Sequence, residues 1–496
     1  NIRYSADNSL CAMSENGASQ RRPQSSRKGR LLVVFISLAF VAIQLVLNHV
    51  VSKESDQHLD KDFGPPETKA SYLTSTIDEL LQHSEASSAS LRTIINSLKN
   101  HTPPGLHGEE ITDIEGETKR CESYGFKYAG RRTRRRVFYG SNIADDSWHT
   151  IAAHAMESFG LYHTVALVES NVTHMRTPRN LRFKADSLNV RAMQSGIFGP
   201  TTDVFVDQYI DTGKPINTTG DSYGLINEDL QRELVLERWI KQGMTTDDLG
   251  LIGDVDEIFS RDFLLAAMTC DVPQFRTGQD CKKPKLAPKT LIFEMAPDCI
   301  TEGRHWYHPD MISGECIDGV GDSNTHPQAE RVMGVGFRFK GYGRENDDYQ
   351  HLPINSTMFP LFKPSDTRMK PASQQISKRG SHSAFHLHNY FRSTKDIRHK
   401  YWTYTHGYHG SEKKVPLGEF HEDIDLAVRC FTNRKDKHLP YVRKKGGFDS
   451  IDGLLQPLAF QNKEYRKQRF EEMKQEILKD EAVYSSFEGT YHLKTG

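Results

Sequence analysis

The stretch Leu251–Ile258, LIGDVDEI, constrains the fold more than any other part of the chain. An apolar, strand-like run, Leu249–Asp254 (LGLIGD), ends in a cluster of carboxylates: Asp254, Asp256 and Glu257. Directly before it, Asn227–Gly243 (NEDLQRELVLERWIKQG) has apolar residues at 230, 234, 236, 239 and 240 and closes on Gly243. That is the pattern of a helix with a glycine C-cap. Further upstream, Arg135–Gly140 (RRVFYG) enters a strand, Trp148–Phe159 is helix-like, and His163–Asn171 (HTVALVESN) is a short buried strand. Asp203–Ile210 (DVFVDQYI) is another strand. The alternation predicts an α/β domain built on βαβ units. Ligands of such sheets bind outside the carboxyl ends of the parallel strands. Glu169 ends one such strand, and Asp254 and Asp256 end another.

Carboxylates this close repel one another, so the arrangement calls for positive charge. With one residue between them, Asp254 and Asp256 project the same way from an extended turn. A divalent cation held by oxygen ligands relieves their repulsion. One or two carboxylates plus phosphate oxygens suit Mn²⁺ or Mg²⁺ better than an all-protein calcium cage. A cation that also holds a diphosphate neutralises charge as the diphosphate departs. The chain has no EF-hand loop, no GxGxxG and no P-loop. The alternative is a solvated acidic turn.

The 496 residues carry a net charge of −1, which gives no electrostatic reason to bind nucleic acid. Leu31–Ser52 contains no Asp, Glu, Lys or Arg, and about 20 such residues cross a bilayer's hydrocarbon core. Arg21, Arg22, Arg27, Lys28 and Arg30 precede it, which places the N-terminus in the cytoplasm and the rest in a lumen. A cleaved signal peptide is the alternative, but the run exceeds an h-region and no small-x-small site follows it. The expected organisation is a cytoplasmic tail (1–30), a transmembrane anchor (31–52), a stem (53–120) and a lumenal domain (121–496) ending in a charged helix. In that helix Tyr465, Phe470, Met473, Ile477 and Leu478 are placed to pack back on the domain.

Within the stem, Ile77, Leu80, Leu81, Leu91, Ile94, Ile95 and Leu98 recur at helical spacing, as a partly helical spacer or a segment for a homodimer. Sequons at Asn100, Asn171, Asn217 and Asn355 all follow the anchor. So do six of the seven cysteines, and an oxidising lumen would pair them; Cys270 with Cys281 closes the shortest loop and is the first expectation. None forms a CxxC, which argues against zinc.

From about Arg135 to His406 the chain resembles glycosyltransferase family 17, whose best-known members add the bisecting N-acetylglucosamine to N-glycans. The resemblance lies in RRVFYG (Arg135–Gly140), VESNVTHMRTPRNLRF (Val168–Phe183), DDLGLIGDVDEIFSRD (Asp247–Asp262) and NYFRSTKDIRHKYWTYTH (Asn389–His406). It implies a GT-A-like nucleotide-sugar-binding sheet with flanking helices. It also implies a UDP-GlcNAc donor, inverting transfer to the β-mannose of an N-glycan core on glycoproteins, and a Golgi type II membrane setting. Carried over, Asp256 binds the metal, and Asp254 contacts the metal or the donor ribose. Glu169 and Arg179 lie near the nucleotide or shape its pocket. Arg232 faces phosphate or forms a surface ion pair on its helix. Where family members read GWHCS, this chain has FHLHN (Phe385–Asn389); the family histidine then aligns with Leu387, and His388 is the candidate to replace it as a metal ligand, with His386 also adjacent. An inverting transfer needs a base for the acceptor hydroxyl. Glu257, Asp318, Asp322 and Glu294 are its candidates, and HWYHPD (His305–Asp310) offers aromatics that could stack on a sugar. Two other readings stay open: a transferase with another donor or acceptor, and a lumenal glycan-binding protein that uses the acidic turn for calcium.

Overall fold

The computed structural model describes residues 69–320 except 83–87, 102, 104–105, 175, 212–220, 276–284, 298, 302–305, 307 and 318. It also describes 375–376, 382–403, 441–443 and 456–484. All of these belong to one compact unit, Glu67–Gly496. The anchor at 31–52, Cys11, Cys281, Cys430, Asn217, Asn355, Asp318 and Asp322 lie outside the described residues. Among the described residues no helix is long and apolar enough to cross a membrane.

The fold is α/β with two mixed sheets. The larger contains β1 (Val137–Ile143), β2 (Tyr162–Ser170), β3 (Asp203–Tyr209) and β4 (Leu249–Ile252) in the spatial order β3-β2-β1-β4. These strands are parallel. β5 (Glu257–Phe259) leaves this sheet for the second one. β6 (Lys285–Pro288) returns to the first, β7 (Thr290–Glu294) and β8 (Cys299–Thr301) belong to the second, and β9 (Asp310–Ser313) pairs antiparallel with β4. β10 (Gln375–Ile376), β11 (Ala384–His388) and β12 (Tyr441–Arg443) complete the sheets. The second sheet runs β12-β8-β7-β11-β5. The first three parallel strands step one way from β1, and the chain then returns to place β4 on its other side. β1 and β4 therefore flank the switch point, where open α/β sheets bind ligands.

Eight helices are used below: α1 (Lys69–Gln82), α2 (Ala89–Lys99), α3 (Ile114–Ser123), α4 (Trp148–Ser158), α5 (Asp221–Lys241), α6 (Arg261–Thr269), α7 (Thr394–Thr403) and α8 (Lys463–Tyr484). α4 is buried on every side, which its Ala-rich, weakly polar sequence permits. α5 covers the opposite face of the large sheet, where Val235 and Trp239 pack with Phe138, Ala166, Val168 and Ile252. The helix sits so close that a Cβ on Gly140 of β1 would fall 2.2 Å from Val235 Cγ1.

The segment read as a stem is different from that expectation. Ser88 caps α2 by accepting the Leu91 N–H at 3.1 Å. The whole stripe Ile77, Leu80, Leu81, Leu91, Ile94, Ile95 and Leu98 is buried in the main core. α2 is joined to α8 through Ser90 N–H to Glu472 (2.9 Å), Thr93 to Gln468 (2.7 Å) and Asn462 to Ser97 (2.9 Å). The boundary drawn at residue 121 therefore cuts through a packed core. The stripe proposed for a homodimer is covered by this chain itself, and one apolar face cannot serve both contacts. On α8, Tyr465 and Met473 are buried as expected, and Phe470 is half-buried; the side chains of Ile477 and Leu478 are outside the described residues. Arg466 and Arg469 are buried beside them.

Cys270 pairs with Cys121, not with Cys281. The bond joins α3 to the end of α6 and spans 149 residues of sequence. Proximity in sequence misled here because the fold brings Lys127–Tyr128 against Cys270–Asp271 as a two-stranded ribbon. Cys299 and Cys316 are also disulfide-bonded. Constraining the loop closed by Cys121–Cys270 in the unfolded chain is worth about 5 kcal/mol. The double substitution Cys121→Ser/Cys270→Ser is expected to lower the non-reducing thermal midpoint by several degrees; an unchanged midpoint would contradict this.

Candidate functional site at the switch point

The acidic turn joins β4 of the large sheet to β5 of the second, so both sheets fix it. Its backbone is held at every step. Asp254 O accepts the Glu257 N–H at 2.9 Å, and Tyr139 OH reaches the same oxygen at 3.4 Å. Val255 O accepts from His154 Nδ1 at 2.9 Å, and Asp256 O accepts the Leu387 N–H at 2.7 Å. A carbonyl only accepts, so His154 carries its proton on Nδ1 and accepts a hydrogen bond from the Tyr162 hydroxyl at Nε2, 2.9 Å away. Burial lowers the His154 pKa to about 4, which keeps the ring neutral. Gly253 permits the approach of the next layer: a Cβ there would lie 2.8 Å from Pro309 Cβ.

Glu257 belongs to the turn's scaffold. Its Oε2 accepts the Asp254 N–H at 2.8 Å and its Oε1 accepts Trp306 Nε1 at 2.6 Å. It is 1% exposed. Trp306, from the HWYHPD stretch, stacks on His386 with ring centroids 5.1 Å apart. Its role in this structure is packing against the turn.

Asp254 and Asp256 have different partners. Asp254 is the more open, with 46% of its side chain exposed, and one oxygen meets Arg232 Nη2 at 2.7 Å. Arg232 is buried and also binds Glu228 at 2.6 Å. Of the two roles open to Arg232, a phosphate contact or a surface ion pair, the structure shows an ion pair, but a buried one that clamps α5 to the acidic turn. Asp256 faces His386 Nε2 at 3.5 Å. Burial alone would raise Asp256, but the charge and hydrogen bond of His386, with Lys400 behind, bring it below the ordinary carboxylate value. Burial likewise opposes protonation of His386, and Asp256 overcomes it, so the histidine's pKa is raised.

The alignment that made His388 the replacement metal ligand is not reproduced. His386 is the histidine beside Asp256, and His388 turns to Glu294, Nδ1 to Oε2 2.6 Å. Residues two apart on a strand share a face, and the two rings are 5.0 Å apart, but the carboxylates on neighbouring strands differ.

Glu169, at the end of β2, is fully buried. It accepts the backbone N–H groups of Arg182 and Phe183, each at 2.8 Å, and Arg179 Nη2 at 3.3 Å. Burial raises its pKa against those donors. Glu169 thus ties Arg179, Arg182 and Phe183 to the end of β2. Asn171 lies just beyond that strand, its Oδ1 accepting the Asp211 N–H at 2.9 Å, while Asn100 is an exposed C-cap of α2.

The sequence reading missed Asp146. It follows β1, as Asp254 follows β4, so the two acids flank the switch point. Burial and the charge of Asp256 push its pKa up to about 6. The available signal was the rule already applied to Asp254: a carboxylate just beyond a buried parallel strand.

No family model, curated protein or solved structure matches this chain. The site is thus read on its own chemistry. Among the described residues no group of three or more His, Cys, Asp or Glu is arranged to hold a metal ion. Two carboxylates on a rigid turn, one of them open to solvent, still fit a hard cation that takes its remaining ligands from phosphate and water.

Replacing Arg232 leaves the carboxylates of Glu228 and Asp254 facing a buried gap. Arg232→Ala is expected to cost about 3 kcal/mol, read as a fall in the urea midpoint. Arg232→Lys should recover only part, because an ammonium lacks the fork that spans both acids. Full recovery by lysine would contradict the clamp.

Proposed function

We propose that this chain is an inverting glycosyltransferase of GT-A-like fold that moves N-acetylglucosamine from UDP-GlcNAc to the β-mannose of an N-glycan core. The observation that carries the reading is the position of Asp254-Val255-Asp256. It is an acidic turn pinned between two sheets, at the carboxyl end of the strand that borders the switch point. The four sequence blocks that resemble glycosyltransferase family 17 supply the donor and acceptor.

In this reading Asp254 and Asp256 hold Mn²⁺ or Mg²⁺. The cation, when bound, neutralises charge on the departing diphosphate. Arg232 fixes Asp254 through the ion pair at 2.7 Å, and His386 positions Asp256. Glu169 and Arg179 hold the loop that borders the nucleotide. The run at 31–52, free of Asp, Glu, Lys and Arg, supports a single-pass type II membrane protein with the domain lumenal, and the family resemblance supports a Golgi setting with glycoproteins as acceptors.

The test is transfer. Purified full-length chain is incubated with UDP-GlcNAc, Mn²⁺ and a biantennary N-glycan, and the glycan mass is followed. A gain of one N-acetylhexosamine that EDTA abolishes is expected. UDP release without glycan gain would replace the acceptor. An intact donor, with calcium-dependent glycan binding, would replace the enzyme by a binding protein.

A further inference from the structure

Resting on the transferase reading above, we infer that His388 is the general base that deprotonates the acceptor hydroxyl, held for that role by Glu294. Glu294 lies on β7, and β11 runs parallel beside it in a register that places His388 opposite Glu294. Glu294 is buried, and each of its oxygens is used: Oε2 accepts from His388 Nδ1 at 2.6 Å and Oε1 accepts from Asn389 Nδ2 at 2.6 Å. A carboxylate so placed fixes the tautomer with the proton on Nδ1. Nε2 then carries the lone pair. His388 keeps 30% of its side chain exposed, and Nε2 meets no partner among the described residues.

The location suits the task. His388 shares a strand face with His386, ring centroids 5.0 Å apart, and His386 Nε2 is 3.5 Å from Asp256. The open nitrogen therefore belongs to the ring next to the histidine that faces Asp256, the carboxylate assigned to the cation. A base for inversion must act across the sugar from the leaving diphosphate. Two of the carboxylates named as candidates are poorer ones. Glu257 and Glu294 have both oxygens engaged inside the fold, and His386 is taken by Asp256. A second histidine–carboxylate pair, His308 with Asp310 at 2.5 Å, stands beyond Trp306 rather than beside His386.

The step balances without a further reactant. His388 Nε2 takes the hydroxyl proton as the acceptor oxygen attacks C1 of the sugar. The bond from C1 to the β-phosphate oxygen breaks, UDP leaves with the electron pair, and the imidazolium returns its proton to water. Glu294 touches no substrate; it is a positioning residue.

The test uses the full-length chain in the transfer assay, comparing His388→Ala, His388→Gln, Glu294→Gln and His308→Ala. Circular dichroism and thermal midpoint select folded variants. Both His388 variants are expected to lose about 100-fold or more in kcat while donor KM stays within about threefold. Imidazole should restore transfer by His388→Ala and leave wild type unchanged, a response that a packing role does not give. Glu294→Gln should lower kcat less, with KM unmoved. Wild-type kcat in either His388 variant, no imidazole rescue, or a loss confined to His308→Ala overturns the assignment and leaves the transferase reading standing. A wild-type chain that transfers nothing overturns both.

Discussion

A chain that begins at Cys121 is expected not to fold, although composition marks the preceding segment as a stem. Seven apolar side chains of α1 and α2, from Ile77 to Leu98, are each at most 4% exposed. Burying one such side chain is worth about 1.5–3 kcal/mol. Their removal uncovers the matching apolar surface and breaks the polar links from α2 to α8. The sum is comparable to the whole stability of a domain, about 5–15 kcal/mol. A chain that begins at Glu67 keeps both helices and is expected to be soluble and monodisperse. The two forms are compared by soluble yield and size-exclusion chromatography. Equal yields of monodisperse protein would show that the helices are dispensable. A milder probe is Ile94→Ala, expected to cost about 3 kcal/mol because Ile94 is fully buried.

The second large effect is on transfer. Asp256→Ala is expected to abolish measurable glycan gain, by about 10³-fold or more. A cation at a diphosphate supplies several kcal/mol of charge stabilisation, and each 1.36 kcal/mol is tenfold. Asp256→Asn separates charge from shape: it keeps an oxygen but cannot balance His386 or a divalent cation, so it should resemble alanine. Both variants retain the backbone bonds at Val255 and Asp256, which come from His154 and the Leu387 N–H, so the turn should persist. Thermal midpoints within a few degrees of wild type would confirm that loss of transfer is not loss of fold. Transfer by Asp256→Ala at wild-type rate would remove the acidic turn from the mechanism.

Rigidity of the turn explains why its sequence is dense in unlike roles. Asp254 and Asp256 point out of it, whereas Glu257 turns inward to cap the Asp254 N–H and to hold Trp306. An apolar strand before the acids brings them to the carboxyl end of the large sheet, and β5 carries the chain on into the second. The like-charge repulsion is offset by Arg232 on one acid and His386 on the other, one contact from each side of the site.

Period and punctuation alone located β1, α4, β2, β3, α5 and β4, because each pattern is local: alternation or an apolar run for a strand, 3.6-residue spacing and a terminal glycine for a helix. They also placed Asp254 and Asp256 at a strand's carboxyl end, since strand order along the chain is enough for that. What the tertiary structure decided is which surfaces meet. The stripe on α1 and α2 is equally consistent with a spacer, a dimer or a core, and only packing against the domain chose the last. Cys121 and Cys270 lie 149 residues apart and become neighbours through a two-residue ribbon that no spacing announces. Arg232 looks like any helical arginine until β4 brings Asp254 to it. His386 and His388 are alike in sequence. Their partners differ because β5 lies on one side of β11 and β7 on the other, and strand neighbours in a sheet are set by long-range pairing that sequence order does not contain.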